Sequence, residues 1–166
     1  MSLLPALIAE LRSTITTAVN LPSPPSGAIN FFTTIQGSKK SFVEQLKAVR
    51  ISLPCVVLDI GDFSLPDDND WAMNTVGYAC APVTIIYISQ WGGAGNNQSG
   101  TYSAAYAIKS SIDNVSALFT TFARVEEGKI LSNVDAPVNS SLLADSEVQI
   151  VASAVAYTPG LRVQEY

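Results

Sequence analysis

Apolar positions along the 166-residue chain follow two patterns, and each predicts a different element. Leu4, Leu7, Ile8, Leu11, Ile15, Ala18 and Val19 recur every three or four residues, with Glu10, Arg12, Ser13 and Thr16 on the other side. That spacing predicts an amphipathic helix from about Leu3 to Val19, and Pro5 fits its first turn, where the missing amide has no partner to lose. The run Cys80-Ala-Pro-Val-Thr-Ile-Ile-Tyr-Ile-Ser-Gln90 is apolar at nearly every position and rich in β-branched and aromatic residues. It predicts a strand buried at the centre of a sheet. A second run, Pro54-Cys-Val-Val-Leu-Asp-Ile-Gly61, predicts another core strand that ends at about Asp62. The alternation in Val148-Gln-Ile-Val-Ala-Ser-Ala-Val-Ala-Tyr157 predicts a last strand with one apolar and one mixed face, stopped by Pro159-Gly160.

Between these elements the chain is less regular. Leu21-Pro-Ser-Pro-Pro-Ser-Gly27 ends the first helix, because consecutive prolines supply no amide donors and favour extended backbone. Ile29-Asn-Phe-Phe-Thr-Thr-Ile35 reads as either an edge strand or an extended arm, so residues 21–36 form a Pro-rich linker or arm. Phe42, Leu46 and Val49 share one side of a short predicted helix at 41–50. Residues 65–70 form a polar turn or loop, and residues 71–90 one long strand or two joined by a bend near Pro82. Residues 91–100 are a Gly/Asn connector by composition. Ala105, Ile108, Ile112, Val115, Phe119 and Phe122 then mark a helix that crosses the sheet, with a bend allowed at Asp113-Asn114. Residues 130–134 read as a strand and 139–145 as a loop or helical turn; there is no internal repeat.

Composition limits what such a chain does. Hydrophobic residues make up 48%, charged ones only 14%, and mean hydropathy is +0.27. A chain of this length suits one domain that buries roughly two-thirds of its unfolded surface. Its surface must rely on Ser, Thr, Asn, Gln and Ala, as suits a protein covered by other subunits. Net charge is −5, with no basic cluster beyond Lys39-Lys40, which disfavours tight binding to nucleic acid. Cys55 and Cys80 lie in apolar runs and read as reduced, buried thiols; a disulfide between neighbouring strands is the lesser alternative. The apolar N-terminus lacks a basic start and is interrupted by Glu10 and Arg12, and no run reaches the roughly 18 apolar residues of a membrane span. The chain reads as a soluble protein made in the cytoplasm, with no membrane partner.

Candidate chemistry is sparse. The chain has no histidine, which removes the commonest general base, the usual metal ligand and every Ser-His or Cys-His nucleophile pair. Gly95-Asn-Asn-Gln-Ser-Gly100 has the spacing of a phosphate-binding loop, but Thr101-Tyr102 stand where Lys and Ser/Thr belong. Gly93-Ala-Gly95 is followed by Gln98, where a dinucleotide fingerprint needs its third glycine. Asp67, Asp68 and Asp70 lack the glycine and the later Glu of a calcium loop and read as a solvated turn. Asp59 and Asp62 point to opposite faces of a regular strand, so they make no acid/base pair. Three glycosylation tripeptides, at Asn97, Asn114 and Asn139, read as chance in a chain rich in Ser and Asn. No catalytic residue, metal ligand or cofactor is expected. The aromatics Tyr78, Tyr87, Tyr102, Tyr106, Tyr157, Trp71 and Trp91 serve packing for the most part, while some could anchor a protein interface; the sequence leaves open which.

The order of these elements carries a resemblance. An amphipathic helix, a Pro-rich link, a strand opening Pro54-Cys-Val-Val-Leu, a long strand through Pro82-Val-Thr-Ile-Ile-Tyr-Ile, a helix after a Gly loop and a closing Val148-Gln-Ile-Val-Ala-Ser-Ala-Val follow one another. This layout resembles the tail terminator, or tail completion, proteins of long-tailed bacteriophages and related minor tail proteins of prophages. The resemblance spans most of the chain and rests on layout and strand character, without a diagnostic motif. It implies a single α+β (layered α/β) domain over residues 1–166, with a mostly antiparallel central sheet flanked by helices. It further implies a non-enzymatic virion tail subunit in a homo-oligomeric ring, typically a hexamer, that caps the tail tube and meets the head–tail connector. DNA would only pass through the lumen, which the acidic balance suits. Segment 21–35 is longer than the family leads one to expect. Expected contact residues are Trp71, Trp91, Gly92, Gly93, Asn96, Asn97, Phe31 and Phe32. The alternatives are another head–tail connector or baseplate subunit or, in a different class, a small-ligand-binding domain using loop 92–100.

Overall fold

A computed structural model describes residues 3–33, 50–61, 78–90, 98–114, 122–124, 128–131 and 150–164. The elements are α1 (Leu3–Val19), β1 (Ile29–Thr33), β2 (Ile51–Ile60), β3 (Tyr78–Gln90), α2 (Gln98–Asn114), β4 (Phe122–Arg124), β5 (Lys129–Leu131) and β6 (Ile150–Gln164). The strands form one sheet in the order β1-β2-β3-β6-β4, with β5 also on β6. Only β1 runs parallel to its neighbour, β2; the other pairings are antiparallel. The molecule is an α+β domain with a mixed, mostly antiparallel sheet.

Both helices pack on one face of the sheet. Rows Leu58–Ile85–Val155 and Ile60–Val83–Tyr157 run across β2, β3 and β6. Leu11 and Ile15 of α1 and Ala105, Ile108 and Ile112 of α2 close over them. The other face is dry as well: rows Cys55–Ile88–Ala152 and Val57–Ile86–Ala154 are buried at 0–5% exposure. Further along, that face meets water in the row Asp59–Thr84–Ala156–Lys129, whose outer members are exposed. Burial on both faces explains why β2 and β3 read as near-continuous apolar runs rather than alternating ones. On β6 the mixed face, Ser153, Val155 and Tyr157, is buried as well.

Local chemistry sets the boundaries. Asn20 takes a left-handed φ of 51° just beyond α1, the position where a helix is commonly capped. After the prolines, Ala28 N donates to Pro25 O at 3.0 Å across Gly27, whose φ of 81° fits the third position of a type II turn. The turn delivers Ile29 to the sheet edge, where its N–H donates to Arg50 O at 2.9 Å. The Asn30 side-chain amide donates to Pro22 O and ties the proline segment to β1. Residues 29–33 are therefore an edge strand rather than a free arm.

Three expectations are corrected. The strand expected from Pro54 begins at Ile51; pairing with β3 starts only at Cys55, so the proline removes no bond from that ladder. The helix expected from Ala105 to Phe122 begins earlier, at Gln98, inside the predicted connector, and ends at Asn114; Phe122 lies in β4. The last strand does not stop at Pro159-Gly160 but continues to Gln164. Val83 pairs with Tyr157 and Ala81 with Leu161, so β6 bulges by two residues where both strands carry a proline. β3 is accordingly one strand with an irregularity at Pro82, not two. The leading reading of Cys55 holds and only the lesser alternative falls: Cys55 pairs with Ile88 while Cys80 lies eight residues back along β3, about 26 Å away at strand rise, too far for an intrachain disulfide. Cys55 is a free, buried thiol.

Residues 41–49 of the expected helix at 41–50, the turn at 65–70, the start of the long strand at 71–77 and the segment 139–145 lie outside the described residues, as do 34–36, 115–121, 132–134 and Asp62. The expected strand at 130–134 is present over Lys129–Leu131 as far as it is described.

Candidate functional site

α2 sits at the junction of the sheet's helical face and its β5 edge. Thr101, Ala105, Ile108 and Ile112 recur at helical spacing and are fully buried. Within that stripe, the Thr101 and Ser153 hydroxyls share a hydrogen bond of 2.9 Å that fixes α2 on β6. At its C-terminal end Lys109 Nζ meets Asp113 Oδ2 at 2.9 Å. The other carboxylate oxygen, Oδ1, accepts from Tyr157 Oη at 3.1 Å and from Gly128 N at 3.3 Å. One side chain thus joins α2, β5 and β6. This hub was not foreseen in the sequence, where Asp113 read only as a bend position.

The outer flank of α2 is different. Tyr102 and Tyr106, one turn apart on the same side, are 46% and 56% exposed, and Ser103 beside them is exposed. With Leu131 on β5 they are the exposed large hydrophobics among the described residues, and Leu131, opposite Ala154, lies on the other sheet face. The structure therefore sorts the aromatics that the sequence left open: Tyr157 is a core residue, Tyr87 packs against the core, and Tyr102 and Tyr106 face water. The signal was present in the sequence, since 102 and 106 fall between the turns of the 101, 105, 108, 112 stripe.

Of the expected contact residues, Trp71, Trp91, Gly92, Gly93, Asn96 and Asn97 lie outside the described residues. Phe31 is only 7% exposed and belongs to the helical-face core, with the Arg12 guanidinium 5.2 Å from its ring centre, so it is corrected from a contact residue to a core one. Phe32 is half-buried against the second cluster.

Reactive chemistry is correspondingly muted. Burial pushes the Cys55 thiol from 9.0 up to about 12, which leaves almost no thiolate at neutral pH. Burial also raises the Tyr87 hydroxyl. Among the described residues no three His, Cys, Asp or Glu side chains gather where they could hold a metal, and no helix is long and apolar enough to cross a membrane. Set against known proteins, the chain matches no family model and no curated protein.

Proposed function

We propose that the chain is a non-enzymatic structural subunit of tail terminator type, which assembles into a ring of about six copies, caps a phage tail tube and joins it to the head. The observation that carries this reading is the ordered layout of helix, Pro-rich link, two core strands, helix and closing strand. Its implied architecture, helices on a mostly antiparallel sheet, agrees with the fold described above. Two features support it further. The chain has no histidine, and its low charge leaves a surface suited to contact with other subunits. The buried polar side chains also hold elements together: Asn30 binds the proline segment, and Thr101 and Ser153 bind each other.

Light scattering over a concentration series, with and without tail-tube protein, tests the proposal. The expected result is a species of about six times the 17.6 kDa subunit mass, formed alone or on tube protein. A protein that stays monomeric at high concentration and ignores the tube would refute it.

A further inference from the structure

We draw no further inference here: the strongest candidate, the water-facing flank of α2 at Tyr102 and Tyr106, is an exposed helix face for which nothing in the structure shows what covers it.

Discussion

Replacing Gly128 with alanine tests the hub that joins α2, β5 and β6. A Cβ built on Gly128 would lie 2.8 Å from Tyr157 Cζ and 2.9 Å from Val155 Cγ1, closer than carbon atoms tolerate. Neither neighbour can retreat easily: Val155 is fully buried, and Tyr157, 1% exposed, is pinned by its hydroxyl to Asp113 Oδ1. Overpacking of this kind costs about 1–3 kcal/mol. Displacing the Tyr157 ring or the Gly128 amide also weakens one or both bonds to Asp113, each contributing about 0.5–1.5 kcal/mol. Opposing this, alanine restricts the unfolded chain and returns about 0.4–1 kcal/mol, since Gly128 does not occupy the left-handed region. Steric cost wins, with a net loss of about 2 kcal/mol, or roughly 4–8 °C in Tm for a chain of this size. Urea titration followed by circular dichroism measures it as a lower midpoint at unchanged slope. Adding Val155→Ala removes one of the two collisions, so the double variant should lose less than the two singles summed, by at least about 0.5 kcal/mol. An unchanged or raised midpoint for Gly128→Ala, or strict additivity with Val155→Ala, would refute the account.

Gly61→Ala puts a Cβ 2.6 Å from Pro82 Cγ while the Gly61 amide is held on Pro82 O at 2.8 Å; part of the strain is relieved by ring pucker, and a loss of about 1–2 kcal/mol in thermal melts is expected, an unaltered Tm counting against it. The Cys55 thiol should make stability fall with alkaline pH. Between 9.0, its ordinary value, and about 12 the unfolded chain gives up this proton and the folded chain keeps it. The stabilisation is therefore intact below pH 9 and declines by about 1.4 kcal/mol per unit above it, on the order of 4 kcal/mol by pH 12. Cys55→Ala should lose that component, so the stability gap between wild type and variant should narrow from pH 9 to 11; a constant gap would argue that burial does not hold the proton.

Elements whose signal is local were legible in the sequence. α1 was read to its residue because an unbroken apolar stripe leads straight into Asn20 and a proline run, and β3 because a β-branched apolar run has few other uses. Errors arose where the deciding partner is distant in the chain. Pro159-Gly160 looks like a stop until Pro82 stands opposite on β3, where a shared bulge absorbs both prolines. Phe122 continues the helical spacing, yet it lies in β4 opposite Val163 of β6, a partner far along the chain. Phe31 looked like an arm residue because nothing local reveals that α1 lies over it. The candidate surface was half legible: the spacing of Tyr102 and Tyr106 places them together, but which flank of the helix meets the sheet depends on β6.

The buried polar groups explain how the fold holds two dry sheet faces together. A sheet buried on both sides has no solvent to satisfy stray polar atoms, so each one must find a partner inside or cost about 1–3 kcal/mol. Ser153 answers this on β6 by meeting Thr101 across the helix–sheet contact, and Asp113 does so by gathering a lysine, a tyrosine and a backbone amide onto one carboxylate. Groups committed in this way are poor candidates for binding a substrate, because releasing any of them would strand its partner in the core. What remains for work outside the protomer is the exposed surface.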